Sequence, residues 1–178
     1  DAKLLLSRAL SRCERYSPST NSSISSNESF KLLDVGSCWD HFRLFESEES
    51  SPISQKFVKK EVIAFDLAPA PSAHSVLVGD FLQVEISTNN SSDPSSTSNE
   101  FYSTVPSDQQ KKLTWIKQHS FNCVVMSLVL SYVPSPTHRS RMILRARKCL
   151  NLLPEGDGLL IITESFSKVK GDRALEEW

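Results

Sequence analysis

The residues best suited to chemistry in this 178-residue chain stand at the ends of short apolar runs. Gly36, Ser37 and Cys38 close KLLDVGSC, Asp66 and Leu67 follow VIAF, Asp80 and Phe81 follow Gly79, and Ser127 and Leu128 follow FNCVVM. A glycine leaving a strand lets backbone come close to a ligand, because no Cβ intervenes. An acid at the tip of the second strand is the group that holds ribose hydroxyls in nucleotide-binding α/β domains. A lone Asp-x-Gly is commonly an ordinary turn; several strand tips of this kind in order read instead as a nucleoside site. Backbone at Gly36 then meets the amino-acid or phosphate part, Asp66 the ribose, and Asp80 with Phe81 the base. The turn G-S-C is poorer in glycine than a phosphate-binding loop. A compact zwitterion such as S-adenosyl-L-methionine therefore fits better than NAD.

Those tips need a parallel sheet to bring them together. Strands are expected at Lys31 to Val35, Glu61 to Phe65, His74 to Val78, in the uncharged run Phe121 to Val133, and in GLLIITES, Gly158 to Ser165. Helical spacing is read at Ala2 to Tyr16, Gln109 to Gln118 and Thr137 to Leu153, with Ser135 or Thr137 near the cap of the last. Trp39 to Phe45 is expected as a short helix or an aromatic cover, and Lys168 to Trp178 as a polar helix cut short. The alternation implies an α/β fold, a mostly parallel Rossmann-like sheet with helices on both faces. One domain, 1–178, accounts for the length. Serine-rich stretches near 17–29, 46–55 and 87–100 are too poor in apolar side chains to repay ordering and are expected as flexible insertions. The segment at 46–55 explains why Gly36 and Asp66 lie 30 residues apart, where about 20 is usual.

Composition narrows the class further. With 20 basic and 21 acidic residues the net charge is −1, without the electrostatic footprint of a nucleic-acid binder. A local basic stretch runs from Arg139 to Lys148, which a solvated helix face also explains. Cys13, Cys38, Cys123 and Cys149 form no C-x-x-C pair, so no metal site is expected, and reduced thiols suit a cytoplasmic or nuclear protein. His41, His74, His119 and His138 have no ligand spacing. No apolar run approaches the roughly 20 residues of a membrane span. The start, without Met and already in helical pattern, suggests a trimmed longer protein.

LLDVGSC, FDLAPA around Asp66, GDF at Gly79 to Phe81, and VVMSLVLSYVPSP followed by GLLIIT resemble a known family. It is the family of S-adenosylmethionine sensors upstream of mTOR complex 1 (SAMTOR), which also contains the fungal large-subunit rRNA adenine-N1 methyltransferases. The resemblance runs from Leu32 to Trp178. It implies a class I methyltransferase fold that binds S-adenosyl-L-methionine through Gly36, Asp66, Asp80, Phe81 and Ser127. It also implies binding to the GATOR and KICSTOR complexes and restraint of mTOR signalling, in the cytoplasm and in association with the lysosome. The alternative within the family is a nucleolar RNA methyltransferase. Two departures stand out: the long glycine-to-acid interval, and a chain end after the fifth strand, so the closing strands of the methyltransferase sheet are expected to be missing. No catalytic residue is read, since Ser131, Tyr132, Val133 and Pro134 stand where amino-methylating enzymes carry Asn/Asp-Pro-Pro-Tyr, and Tyr132 reads as a core or rim aromatic.

Overall fold

A computed structural model of the chain describes residues 29–40, 42, 59–88, 97–98, 101–106, 110–151 and 158–164. The strands among them are β1 (Ser29–Val35), β2 (Lys59–Asp66), β3 (Leu77–Val78), β4 (Glu85–Ser87), β5 (Thr97–Ser98), β6 (Tyr102–Pro106), β7 (Lys111–Lys117), β8 (Cys123–Ser127) and β9 (Leu159–Thr163). A 3-10 turn spans Leu130–Tyr132, and helix α1 spans Pro136–Cys149. The expected helices at 2–16 and 168–178, the serine-rich segment at 46–55 and all but the last residue of that at 17–29 lie outside the described residues, as does most of 39–45; Ser29 opens β1.

The sheet order is β5-β6-β7-β3-β2-β1-β8-β9, with β4 also paired to β7. Pairings from β7 through β3, β2, β1 and β8 to β9 are parallel, while β5-β6 and β6-β7 are antiparallel. The chain moves outward from β1 to β2 and β3, then returns to lay β8 on the other side of β1. That reversal is the switch point at which open α/β sheets bind ligands, outside the carboxyl ends of their strands.

Successive residues of β1 serve opposite faces. Phe30 and Leu32 pack with Phe42, Cys123 and Val125. Leu33 and Val35 pack with Phe65, Val124, Met126 and, from α1, Met142, Ala146 and Cys149. Both faces of β1 and β8 are covered, which is why their sequences read as nearly unbroken apolar runs. Helix α1 starts where expected: the Ser135 side chain accepts from His138 N, and Pro136 occupies the first turn. It stops at Cys149 rather than Leu153, and Leu150 forms a bridge with Phe121. Among the described residues α1 is the only α-helix, and it covers one face.

Three expectations are corrected. Gln109 to Gln118 is not a helix; Lys111–Lys117 is strand β7. Thr114, Trp115 and Ile116 favour strand, β6 and β4 pair with β7 along its length, and Trp115 Nε1 donates to Ser87 Oγ at 2.9 Å. Second, the run from Phe121 to Val133 is a strand only over Cys123–Ser127, because Leu128 turns to a left-handed φ of 62°. Third, the strand expected from His74 shrinks to Leu77–Val78, since Ala73 and Val76 close turns onto Ala70 O and Ala73 O. Within the stretch read as a flexible insertion, Ser87 belongs to β4, and Thr97–Ser98 pair with Ser103 and Thr104.

Candidate functional site

Register aligns the strand tips. Val35 lies between Phe65 and Met126, Asp66 beside Val78, and Ser127 beside Thr163. On the face away from α1 each strand passes from apolar to polar at its carboxyl end: Val62 and Ala64 to Asp66, Leu32 to Asp34, Val125 to Ser127, Ile161 to Thr163. A polar row thus crosses the switch point along one edge of an otherwise apolar face.

The glycine turn is set by two constraints. Gly36 has φ 80°, a conformation that side chains rarely adopt, and a Cβ on it would lie 2.6 Å from Val129 Cγ2. The glycine is therefore required by packing across the switch point. The Gly36 and Ser37 amides both donate to Phe65 O, at 3.0 and 3.1 Å, which ties the turn to the tip of β2. Ser37 is 3% exposed, and its Oγ finds no hydrogen bond of normal geometry among the described residues. Cys38 is exposed, as is Trp39.

Asp34 was not singled out for the site from sequence, although an acid inside an apolar run is the signal that marks it. It is 3% exposed. Burial pushes its carboxyl up to about 7, the Ser37 hydroxyl works the other way, and the charges of Asp40 and Asp66 raise it further. The negative charges of Asp40 and Asp66 thus act on the buried Asp34 carboxyl at this turn, a setting that favours a ligand carrying positive charge. Asp40 is fixed at φ 53° and accepts a hydrogen bond from Ser75 Oγ.

The neighbouring tips hold two side-chain turns. Asp66 Oδ1 accepts from Ala68 N at 2.8 Å, and Asp66 O accepts from Gly79 N at 2.8 Å. Asp80 Oδ1 accepts from Leu82 N at 2.8 Å, and its carbonyl accepts from Gln83 N and Val84 N. Leu67 is exposed, and so is Leu128, while Ser127 is half-buried. Phe81 is placed differently. Its ring is buried in the α1-side core, 5.6 Å from the Phe65 ring and beneath the Arg145 guanidinium. Gly36, Ser37, Cys38, Asp66, Leu67, Asp80, Ser127 and Leu128 are thus brought to one edge, and the Phe81 ring is not.

Glu164, directly after β9, is a further residue that sequence reading did not pick out. Its Oε1 accepts from Leu130 N at 3.0 Å and Ser131 N at 3.2 Å. An acid closing the apolar run GLLIIT was the available signal. The basic stretch of α1 is partly engaged: Arg139 Nη1 donates to Val133 O at 3.0 Å, and Arg145 donates to the carbonyls of Phe81 and Val84. Cys149 is buried, which pushes its thiol up to about 12 and keeps it protonated. Among the described residues no group of three or more His, Cys, Asp or Glu is placed to hold a metal ion, and no helix is long and apolar enough to cross a membrane.

Comparison with known proteins bears on this edge. Residues 107–164, which contain β7, β8, α1 and β9, match the family described as 25S rRNA (adenine(2142)-N(1))-methyltransferase, Bmt2. The chain is 28% identical over 163 residues to the S-adenosylmethionine sensor upstream of mTORC1 of Danio rerio, over 89% of this chain and 36% of that protein. The chain thus spans about a third of the length of that relative. Both matches support the two families read from the motifs, and the α/β sheet is consistent with a Rossmann-like methyltransferase fold.

Proposed function

We propose that this chain binds S-adenosyl-L-methionine at the carboxyl edge of its parallel sheet and reports the level of that methyl donor. On this reading it restrains mTOR complex 1 signalling in the cytoplasm by binding the GATOR and KICSTOR complexes. The observation that carries the cofactor is the register-aligned polar edge beside the Gly36 turn, where the charges of Asp40 and Asp66 act on the buried Asp34 carboxyl. A sulfonium and an ammonium gain from that field, whereas the diphosphate of NAD is repelled by it. Asp66 suits the ribose hydroxyls, the Asp80 turn suits the adenine, and Gly36 to Cys38 with Ser127 border the methionine part. Likeness to the zebrafish sensor supports the signalling role, as does a net charge of −1 with Arg139 and Arg145 engaged on backbone carbonyls.

The match of residues 107–164 to the adenine-N1 methyltransferase family favours a second reading, methyl transfer to RNA. Adenine N1 presents a lone pair at neutral pH. Positioning beside the sulfonium methyl would supply most of the catalysis without a general base.

Calorimetry with S-adenosyl-L-methionine and NAD tests the cofactor. Saturable binding of the first alone, lost in Asp66→Ala, is expected; binding of NAD alone would overturn it. To separate sensor from enzyme, tritiated methyl donor is incubated with rRNA, and release of GATOR or KICSTOR is measured as the donor is added. Label in RNA without donor-dependent release would favour the enzyme.

A further inference from the structure

The turn after β8 is held in an arrangement that its own sequence does not favour. Leu128 takes φ 62° with its side chain 44% exposed, a conformation that is unfavourable for a bulky residue and persists only where neighbours impose it. The neighbours are identifiable. Leu128 N donates to Thr163 O at 2.7 Å, Ser131 Oγ donates to Leu128 O at 2.8 Å, and Glu164 Oε1 takes the amides of Leu130 and Ser131. Val129, between them, fills the space in front of Gly36. Leu130 is fully buried in the α1-side core, so the amide that Glu164 satisfies belongs to a residue that cannot turn to water.

We infer that Glu164 is a positioning residue of the cofactor edge: it clasps the turn 128–132 and, through Val129, seats that turn against the Gly36 turn. This rests on the reading of that edge as the S-adenosyl-L-methionine site. The two turns meet at the switch point, so a ligand lying across their outer edge meets a surface whose shape Glu164 fixes. The same turn carries Tyr132, 83% exposed, on its outer side. The Tyr132 amide donates to Val129 O at 3.2 Å, so a ligand that moves Val129 at the cofactor edge also moves Tyr132. The clasp uses one oxygen only; Glu164 Oε2 is buried and has no hydrogen-bond partner among the described residues. A carbonyl oxygen can therefore replace the carboxylate, and glutamine is the conservative variant.

The test compares the wild-type chain with Glu164→Gln and Glu164→Ala, measuring S-adenosyl-L-methionine affinity by calorimetry at a temperature where all three are folded. The 19F resonance of fluorotyrosine at position 132, assigned through Tyr132→Phe, is followed in the same samples. Glu164→Gln should bind within about threefold of wild type, and Glu164→Ala about tenfold more weakly, since both amide hydrogen bonds that hold the turn are lost. The Tyr132 resonance should shift on adding ligand to wild type and Glu164→Gln, and should be narrow and insensitive in Glu164→Ala. A merely structural Glu164 would lower the unfolding temperature of Glu164→Ala while leaving its affinity and the Tyr132 response unchanged; that result overturns the inference alone. Absence of binding by the wild-type chain overturns the cofactor reading and this inference together.

Discussion

Replacing Asp34 with asparagine separates the electrostatics of the glycine turn from its packing, because the two side chains are nearly equal in size. In the folded chain the Asp34 carboxyl is raised from 3.8 to about 7, chiefly by burial. The folded state therefore keeps a proton that the unfolded chain releases, and stability falls as pH rises through that interval. The favourable contribution is complete below about pH 4 and gone above about pH 7, with a slope of about 1.4 kcal/mol per pH unit and a total of at most about 4 kcal/mol. The amide of Asp34→Asn cannot ionise, so the variant should gain on wild type between about pH 4 and pH 7 and hold a level difference above that. Urea unfolding followed by tryptophan fluorescence at each pH measures the difference. A difference that stays constant with pH would refute the reasoning, since Asp34 would then titrate alike in both states. On the cofactor reading a cationic ligand favours the carboxylate, so binding near pH 6.5 should release protons in wild type and none in Asp34→Asn. Calorimetry in buffers of unequal ionisation enthalpy detects that release.

Other expectations concern packing. Gly36→Ala should destabilise by about 2 kcal/mol or more, from a positive φ and a Cβ driven into Val129, and Val129→Ala should recover part of that loss in a double-mutant cycle read by chemical denaturation; additive effects would place the strain elsewhere. Arg145→Lys keeps the charge but loses the fork that spans the carbonyls of Phe81 and Val84. It should cost about 1–3 kcal/mol in thermal unfolding, and an unchanged midpoint would assign the turn's rigidity to Asp80 alone. Truncating Phe121, fully buried between β8 and the end of α1, should cost about 3–5 kcal/mol, measured by urea unfolding, and a loss under about 1 kcal/mol would contradict its place in the core.

Much of the parallel sheet was legible because β1, β2, β8 and β9 are short apolar runs that stop at glycine, acid or serine. Those stops mark the edge, and Gly36, Asp66, Asp80 and Ser127 stand at them. The helix read at Gln109 to Gln118 failed because Leu113, Trp115 and Ile116 fit either period over so short a span. Pairing with β6, distant in pattern though near in sequence, decided for strand. Position after Asp80 alone places Phe81 beside the base. Its ring instead packs in the core beside Phe65 and beneath Arg145, partners distant in sequence that no local pattern reveals. Val129 and Glu164 escaped notice for the same reason. Their roles exist only once β1, β8 and β9 are side by side, and in the sequence they are one more valine in an apolar run and an acid at the end of a strand.

The most direct measurement is a crystal structure of the chain grown with S-adenosyl-L-methionine. The ribose hydroxyls are expected on the Asp66 carboxylate, the adenine beside the Asp80 turn, and the sulfonium between Asp34 and Ser127. Adenosyl density at the amino-terminal edge of the sheet, or none beside Asp66 in a crystal grown at saturating ligand, would contradict a cofactor site at these strand tips.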